Sequence, residues 1–253
     1  MISLYSGTPG SGKSLHAAER IFWGLRRGRP VICNFPVATE KISKKHDALP
    51  FFEVSNDGLS PEWLIEFSRI YFLSSGKPVK EGSITLIIDE CQLLFNAREW
   101  QKTGRSEWLS FFTQHRKYGY DIILVAQFDR MIDRQIRSLI EYEYVHRKVS
   151  NFGAGGFFLN LFAGGKLFVA VKIWYPLNEK IGSEFFRARK KYYGLYNTFN
   201  TFKDNPAAAA AQAPGQRAPA AAPAADAEIK QNDSERLILP GKSGILLKPE
   251  KTA

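Results

Sequence analysis

The chain opens MISLYSGTPGSGKSLHAAERI (residues 1–21), and this stretch decides the fold. Residues 2–7 are a short apolar run that reads as a strand. Residues 13–27 read as a helix whose basic end, LRRG, suits its negative pole. Between them, GTPGSGKS (residues 7–14) fits the pattern G-x-x-x-x-G-K-[ST]. Gly7, Gly10 and Gly12 permit backbone conformations closed to residues with a Cβ, so successive N–H groups can converge on phosphate oxygens at the positive end of the helix. Thr8, Pro9, Ser11 and Leu15 complete the expected cradle. Lys13 brings an ammonium to the β- and γ-phosphates, and the Ser14 hydroxyl is a magnesium ligand. A glycine-rich strand-to-helix turn without a ligand is the plainer alternative.

The other half of such a site is expected at the end of a second buried strand. SITLIIDE (residues 83–90) is a continuous apolar run closed by two acids, the signature of a strand buried on both faces. Asp89 is placed to hold Mg²⁺ through water, and Glu90 to polarise an attacking water. The plainer reading makes both the polar end of a strand. DIILVAQ (residues 121–127) is a further buried strand, ending in Gln127 as a γ-phosphate sensor or as an amide capping its own loop. Just upstream, QHRKYG contains Arg116. It is a candidate arginine finger toward a neighbouring subunit's nucleotide, or part of an ordinary basic helix end. These residues predict an Mg²⁺-dependent nucleotide hydrolase with Lys13, Glu90, Gln127 and Arg116 as catalytic candidates. No guanine-reading box is found, so ATP is the expected nucleotide.

The rest of the chain reads as an α/β protein. VICNF is a second strand closed by Pro36, and residues 37–60 are polar and irregular. PEWLIEFSRIYFLSSG is a helix with Pro61 in its first turn, and SEWLSFFTQHRKYG is another. Residues 130–138 read as a short helix. EYEYVHRKV and KLFVAVKIWYPL read as two strands of a hairpin around a glycine-rich tip, and GSEFFRARKKYYGLY as a last, basic helix. The expected fold is a P-loop NTPase: a mostly parallel central sheet flanked by helices, with a C-terminal β-hairpin and a disordered tail. Residues 1–203 form the expected ATPase domain, 204–227 an Ala/Pro-rich linker and 228–253 a polar tail.

Composition narrows the class further. The 253 residues are 44% hydrophobic, enough for a real core. The two cysteines, Cys33 and Cys91, lie in apolar runs that read as buried strands, so neither a disulfide framework nor a zinc site is expected. Thirty-five basic against 25 acidic residues leave a net charge of +10, which favours anionic partners such as nucleic acid or lipid head groups. No stretch reads as an ordinary transmembrane helix. The best candidate, VSNFGAGGFFLNLFAGG (residues 149–165), is uncharged but broken by five glycines. It reads as a flexible hairpin tip or an interfacial flap, with Phe157 and Phe158 as a candidate docking surface.

GTPGSGKS at the start, a strand closed by asparagine (VICNFP), the IIDE box and HRKYGYDIILVAQ together resemble the zonula occludens toxin family, over roughly residues 1–195. This family includes the morphogenesis ATPases of filamentous bacteriophages. The resemblance implies a P-loop ATPase at the cytoplasmic face of the host inner membrane. It implies phage coat proteins and a membrane assembly partner as partners, the single-stranded DNA–protein complex as a further one, and a homo-oligomeric ring. Carried over, Lys13 and Ser14 bind nucleotide and metal, and Asp89 and Glu90 form the acidic pair. The alternative is a DNA-translocating or packaging ATPase acting directly on nucleic acid. One departure stands out: members usually carry a membrane-spanning helix after the ATPase domain, and here that place holds the Ala/Pro linker. Docking on a separate membrane partner, or work in the cytoplasm, is the resulting expectation.

Overall fold

The computed structural model describes residues 1–43, 48–96, 104–151, 158, 161 and 166–195. Five buried residues in a row, Ile2–Ser6, form β1, and α1 (Lys13–Arg26) follows the glycine-rich loop. Then come β2 (Val31–Cys33), β3 (Phe51–Glu53), α2 (Pro61–Ser75) and β4 (Ile84–Ile88). The second half contains α3 (Arg105–Gln114), β5 (Tyr120–Val125), α4 (Arg134–Arg137), β6 (Tyr142–Lys148), β7 (Leu167–Trp174), β8 (Glu179–Arg187) and a one-turn α5 (Lys190–Tyr193).

The eight strands among the described residues join one sheet in the order β3-β2-β4-β5-β1-β6-β7-β8. From β3 to β6 every pairing is parallel, whereas β7 and β8 continue the sheet antiparallel. The unbroken apolar runs of the central strands follow from burial on both faces. On one face, Tyr5, Ile87, Ile123, Val125 and Tyr144 pack against Ala18, Ile21, Phe22 and Leu25 of α1 and Tyr192 of α5. On the other, Tyr120 meets Phe111 of α3 and donates its hydroxyl proton to the Leu64 carbonyl of α2 at 2.7 Å. Helix α2 begins as its sequence dictates: the Ser60 hydroxyl accepts from the Trp63 N–H, Pro61 opens the first turn, and Gly76 ends it in a left-handed conformation.

The α/β class and mostly parallel sheet are as expected, with three corrections. GSEFFR is not the start of a last helix: residues 182–187 belong to β8, whose register against β7 runs from Leu167↔Arg187 to Trp174↔Glu179. Its outward face is exposed, and only Phe186 is buried, so the strand carries little apolar signal. The segment 37–60 is not wholly irregular, because Phe51–Glu53 adds a short parallel edge strand beside β2. Cys91 is buried, but in a 3₁₀ turn after β4 and not in a strand. The chain divides into units Met1–Asn197 and Thr198–Ala253. The expected linker and tail, and nearly all of the 149–165 flap including Phe157, lie outside the described residues; Phe158 is described and exposed. Among the described residues no helix is long and apolar enough to cross a membrane.

Candidate phosphate-binding site

The carboxyl ends of β1, β5 and β4 lie side by side, because β5 is inserted between the other two. That insertion brings together three sequence segments. The loop after β1 is tied to the end of β5 by the Gly7 N–H, which donates to the Gln127 carbonyl at 3.1 Å. The acids Asp89 and Glu90 follow β4. A cleft of about 610 Å³ opens beside the loop, walled by residues 7–11, Gln127, Asp129, Glu143, His146 and Arg147.

The loop's shape demands its glycines at two positions. Gly7 has φ +136°, and a Cβ there would lie 2.6 Å from the His146 carbonyl oxygen. Gly12 has φ +98°, and a Cβ would lie 2.7 Å from the Phe168 ring. Gly12 caps α1, and among the described residues no side chain makes a capping hydrogen bond there. The helix start therefore presents bare donors and a positive pole. Ser11 is buried with its hydroxyl oxygen lacking a partner among the described residues. Leu15 contributes only backbone, since its side chain is in the core. Thr8, Pro9 and Gly10 are exposed.

Lys13 folds back over the loop, donating to the Gly7 carbonyl at 2.6 Å and the Thr8 carbonyl at 3.3 Å. Burial lowers its pKa from the ordinary lysine value, opposed by the negative charges of Asp89 and Glu90. The acids are thus within electrostatic reach of the ammonium. Ser14 and Asp89 offer oxygen donors only, which suits a hard cation that keeps water and phosphate oxygens as its remaining ligands. Among the described residues no group of three or more His, Cys, Asp or Glu side chains forms an all-protein metal cage.

The acidic pair is held by residues that sequence reasoning did not place in the site. Asn34, just past β2, clamps the Asp89 peptide from both sides. Its Oδ1 accepts from the Asp89 N–H at 2.7 Å, and its Nδ2 donates to the Asp89 carbonyl at 2.9 Å and to Asn56 Oδ1 at 2.8 Å. The Asp89 carboxylate accepts from the Glu90 N–H at 2.9 Å. Glu90 adopts φ +47°, a left-handed conformation rare outside glycine, which costs on the order of 1 kcal/mol and concentrates at functional sites. Gln92 donates its side-chain amide to the Glu90 carboxylate. The only sequence hint of this clamp is an asparagine closing an apolar strand.

A second missed group lies beneath the loop. His16 of α1 and His146 of β6 are both buried, with Nδ1 of His16 2.9 Å from Nε2 of His146. Nδ1 of His146 is 3.1 Å from the Ser6 carbonyl. A carbonyl only accepts, so His146 carries its proton on Nδ1 and its Nε2 accepts from His16. Burial is the main cause holding His146 down at about 4, and it pushes His16 well below the usual histidine range, with His146 and Arg20 adding to the effect. Tyr5 and Phe186 stack on the two faces of His16.

Arg116 is not brought to this loop. It precedes β5, at the end of that strand opposite Gln127, and is exposed, with Nη2 2.6 Å from Glu141 and Nε 3.2 Å from Glu81. Reaching another subunit's nucleotide would require releasing both carboxylates.

Comparison with known proteins places the chain among relatives. The Gene 1 protein of Salmonella phage IKe is 25% identical over 177 residues, covering 66% of this chain and 46% of the relative. The Gene 1 protein of Escherichia phage If1 is 32% identical over 147 residues, covering 57% of this chain and 40% of the relative. The chain thus spans less than half the length of either. The crystal structure of the N-terminal domain of zonular occludens toxin from Neisseria meningitidis superposes with a TM-score of 0.47 at 23% identity, covering 78% of this chain and 98% of that one. The sequence model of one family, Zonular occludens toxin (Zot), matches residues 1–202, and the chain belongs to that family.

Proposed function

We propose that the chain is an Mg²⁺-dependent ATPase that powers the assembly and extrusion of filamentous phage at the cytoplasmic face of the host inner membrane. It would act as a homo-oligomer with coat proteins and a membrane partner. The observation that carries the catalytic half is the placement of an uncapped helix start with Lys13 after β1 and of the Asp89–Glu90 pair after β4, at the carboxyl ends of strands that flank β5. Family membership and the two phage relatives support the biological half.

In this reading the free N–H groups at the start of α1 bind the phosphates, and Lys13 exchanges the Gly7 and Thr8 carbonyls for phosphate oxygens. Ser14 and Asp89 would hold Mg²⁺, which would supply charge neutralisation to the phosphates. Glu90 takes the proton of the attacking water, and Gln127 orients the γ-phosphate end. Arg116 serves a neighbouring protomer or only its own carboxylates.

Two experiments test this. Lys13→Ala should lose nucleotide binding, measured with a fluorescent ATP analogue; unchanged affinity would remove the loop from the mechanism. Turnover measured with coat-protein-bearing membranes and with single-stranded DNA separates the export motor from the DNA-translocating alternative: stimulation by membranes alone favours the former, by DNA alone the latter.

A further inference from the structure

Away from the loop, the far end of α1 and the one-turn α5 build a surface of a different kind. Trp23 is 40% exposed and Tyr193 58%. Around them stand Arg26, Arg27, Arg189, Lys190 and Lys191. None of the ion pairs among the described residues uses any of these five cations, whereas Arg20, Arg69, Arg105, Arg116 and Arg137 are each paired with a carboxylate. Three of the five are anchored on aromatic rings instead. Lys191 Nζ is 4.6 Å from the Phe22 centroid, 4.8 Å from Trp23 and 4.7 Å from Tyr192. The Arg27 guanidinium lies 5.9 Å from Trp23 and that of Arg26 5.8 Å from Phe22. Phe22 and Tyr192 are themselves buried in the core, so these cations stand on a rigid floor.

We propose that this face, Trp23, Arg26, Arg27, Lys190, Lys191 and Tyr193, binds single-stranded polynucleotide. Cations that no ion pair among the described residues uses, three of them set on aromatic rings, offer partners to backbone phosphates. Half-exposed aromatic side chains among them offer stacking edges to unpaired bases, a combination that is sequence-tolerant and salt-sensitive. A bilayer surface is the less suitable occupant. An interfacial helix needs an apolar stripe to insert, and the apolar stripe of α1 (Ala18, Ile21, Phe22, Leu25) is already buried against the sheet. The face is not an extension of the nucleotide site: Trp23 lies ten residues beyond Lys13, about 15 Å along the helix at 1.5 Å per residue.

The test is fluorescence anisotropy of a labelled oligo(dT) of about 20 nucleotides with the full chain, from about 50 to 200 mM salt. The intact chain should bind, with affinity falling steeply with salt. Arg26→Gln with Arg27→Gln should lower the magnitude of the log–log salt slope by about 1.4, roughly 0.7 for each of two phosphates left without its arginine. Trp23→Ala should weaken binding roughly tenfold with the slope kept, and Trp23→Phe should restore most of it. Both arginines are exposed, so melting temperature and binding of MgATP should not change in the double variant. Lys13→Ala should bind the oligonucleotide as the intact chain does, which keeps this proposal separable from the ATPase reading. Affinity and slope equal to the intact chain's in every variant would overturn it, as would equal affinity for a duplex of the same length. Capture by phosphatidylglycerol vesicles with no oligonucleotide binding would also overturn it, and would assign the face to anionic lipid.

Discussion

At the scale of single residues, the site depends on groups that hold other groups in place. The Asn34 carboxamide binds the N–H and the carbonyl of Asp89, and so fixes the backbone just before Glu90 in its left-handed conformation. Asn34→Ala should leave nucleotide affinity within a few-fold and reduce kcat, because only the placement of the acids changes. Its cost in stability is about 1–3 kcal/mol for a half-buried peptide left unpaired. Steady-state kinetics read the split, and an equal loss in both parameters would argue for general loosening. The His16–His146 pair predicts a pH effect with a definite sign. His146 stays neutral in the fold down to about 4, while an unfolded histidine titrates near 6.5. Stability is therefore fully present above the unfolded value and is lost as pH falls toward the folded one, because only the unfolded chain takes up the proton. A shift of about 2.5 units at 1.36 kcal/mol each amounts to about 3 kcal/mol. Denaturant titrations from pH 7 to pH 4 should show this loss in the intact chain and less of it in His146→Gln; parallel curves would contradict the assignment.

At the scale of elements, the antiparallel strands beyond β6 form the back wall of the glycine-rich loop before α1. The Phe168 ring of β7 stands where a Cβ on Gly12 would go, and Phe186 of β8 stacks on both Phe168 and His16. Phe186→Ala should cost about 3 kcal/mol, the lower end for a buried phenylalanine, and should also weaken nucleotide binding because the wall behind Gly12 recedes. Thermal unfolding and nucleotide titration check the two halves; lost stability with unchanged affinity would detach the strand from the loop.

The same elements show what a sequence makes legible. The loop reads at once because the glycines, lysine and serine have fixed spacing and sit between a strand and a helix. The strands that lead into Asp89 and Gln127 read because double-sided burial writes an unbroken apolar run. Strand β8 does not read, because an edge strand with one open face alternates weakly and runs into the basic stretch RARKKYY. The Asn34–Asp89 clamp and the histidine pair are invisible for another reason. Their partners are 55 and 130 residues apart, and only the order of strands in the sheet brings them together.

At the scale of the whole molecule, one sheet carries two chemically distinct places along α1: a bare, positive helix start facing the acids, and a basic, aromatic far end. The first is the proposed site of nucleotide hydrolysis. Turnover of MgATP by the intact chain and by Glu90→Gln, alongside binding of the nucleotide by both, tests that assignment most directly. Glu90→Gln should bind MgATP as tightly as the intact chain and hydrolyse it about 10² to 10⁴ times more slowly, the loss expected when a general base is removed. Undiminished hydrolysis in Glu90→Gln, or no binding of MgATP by the folded intact chain, would contradict it.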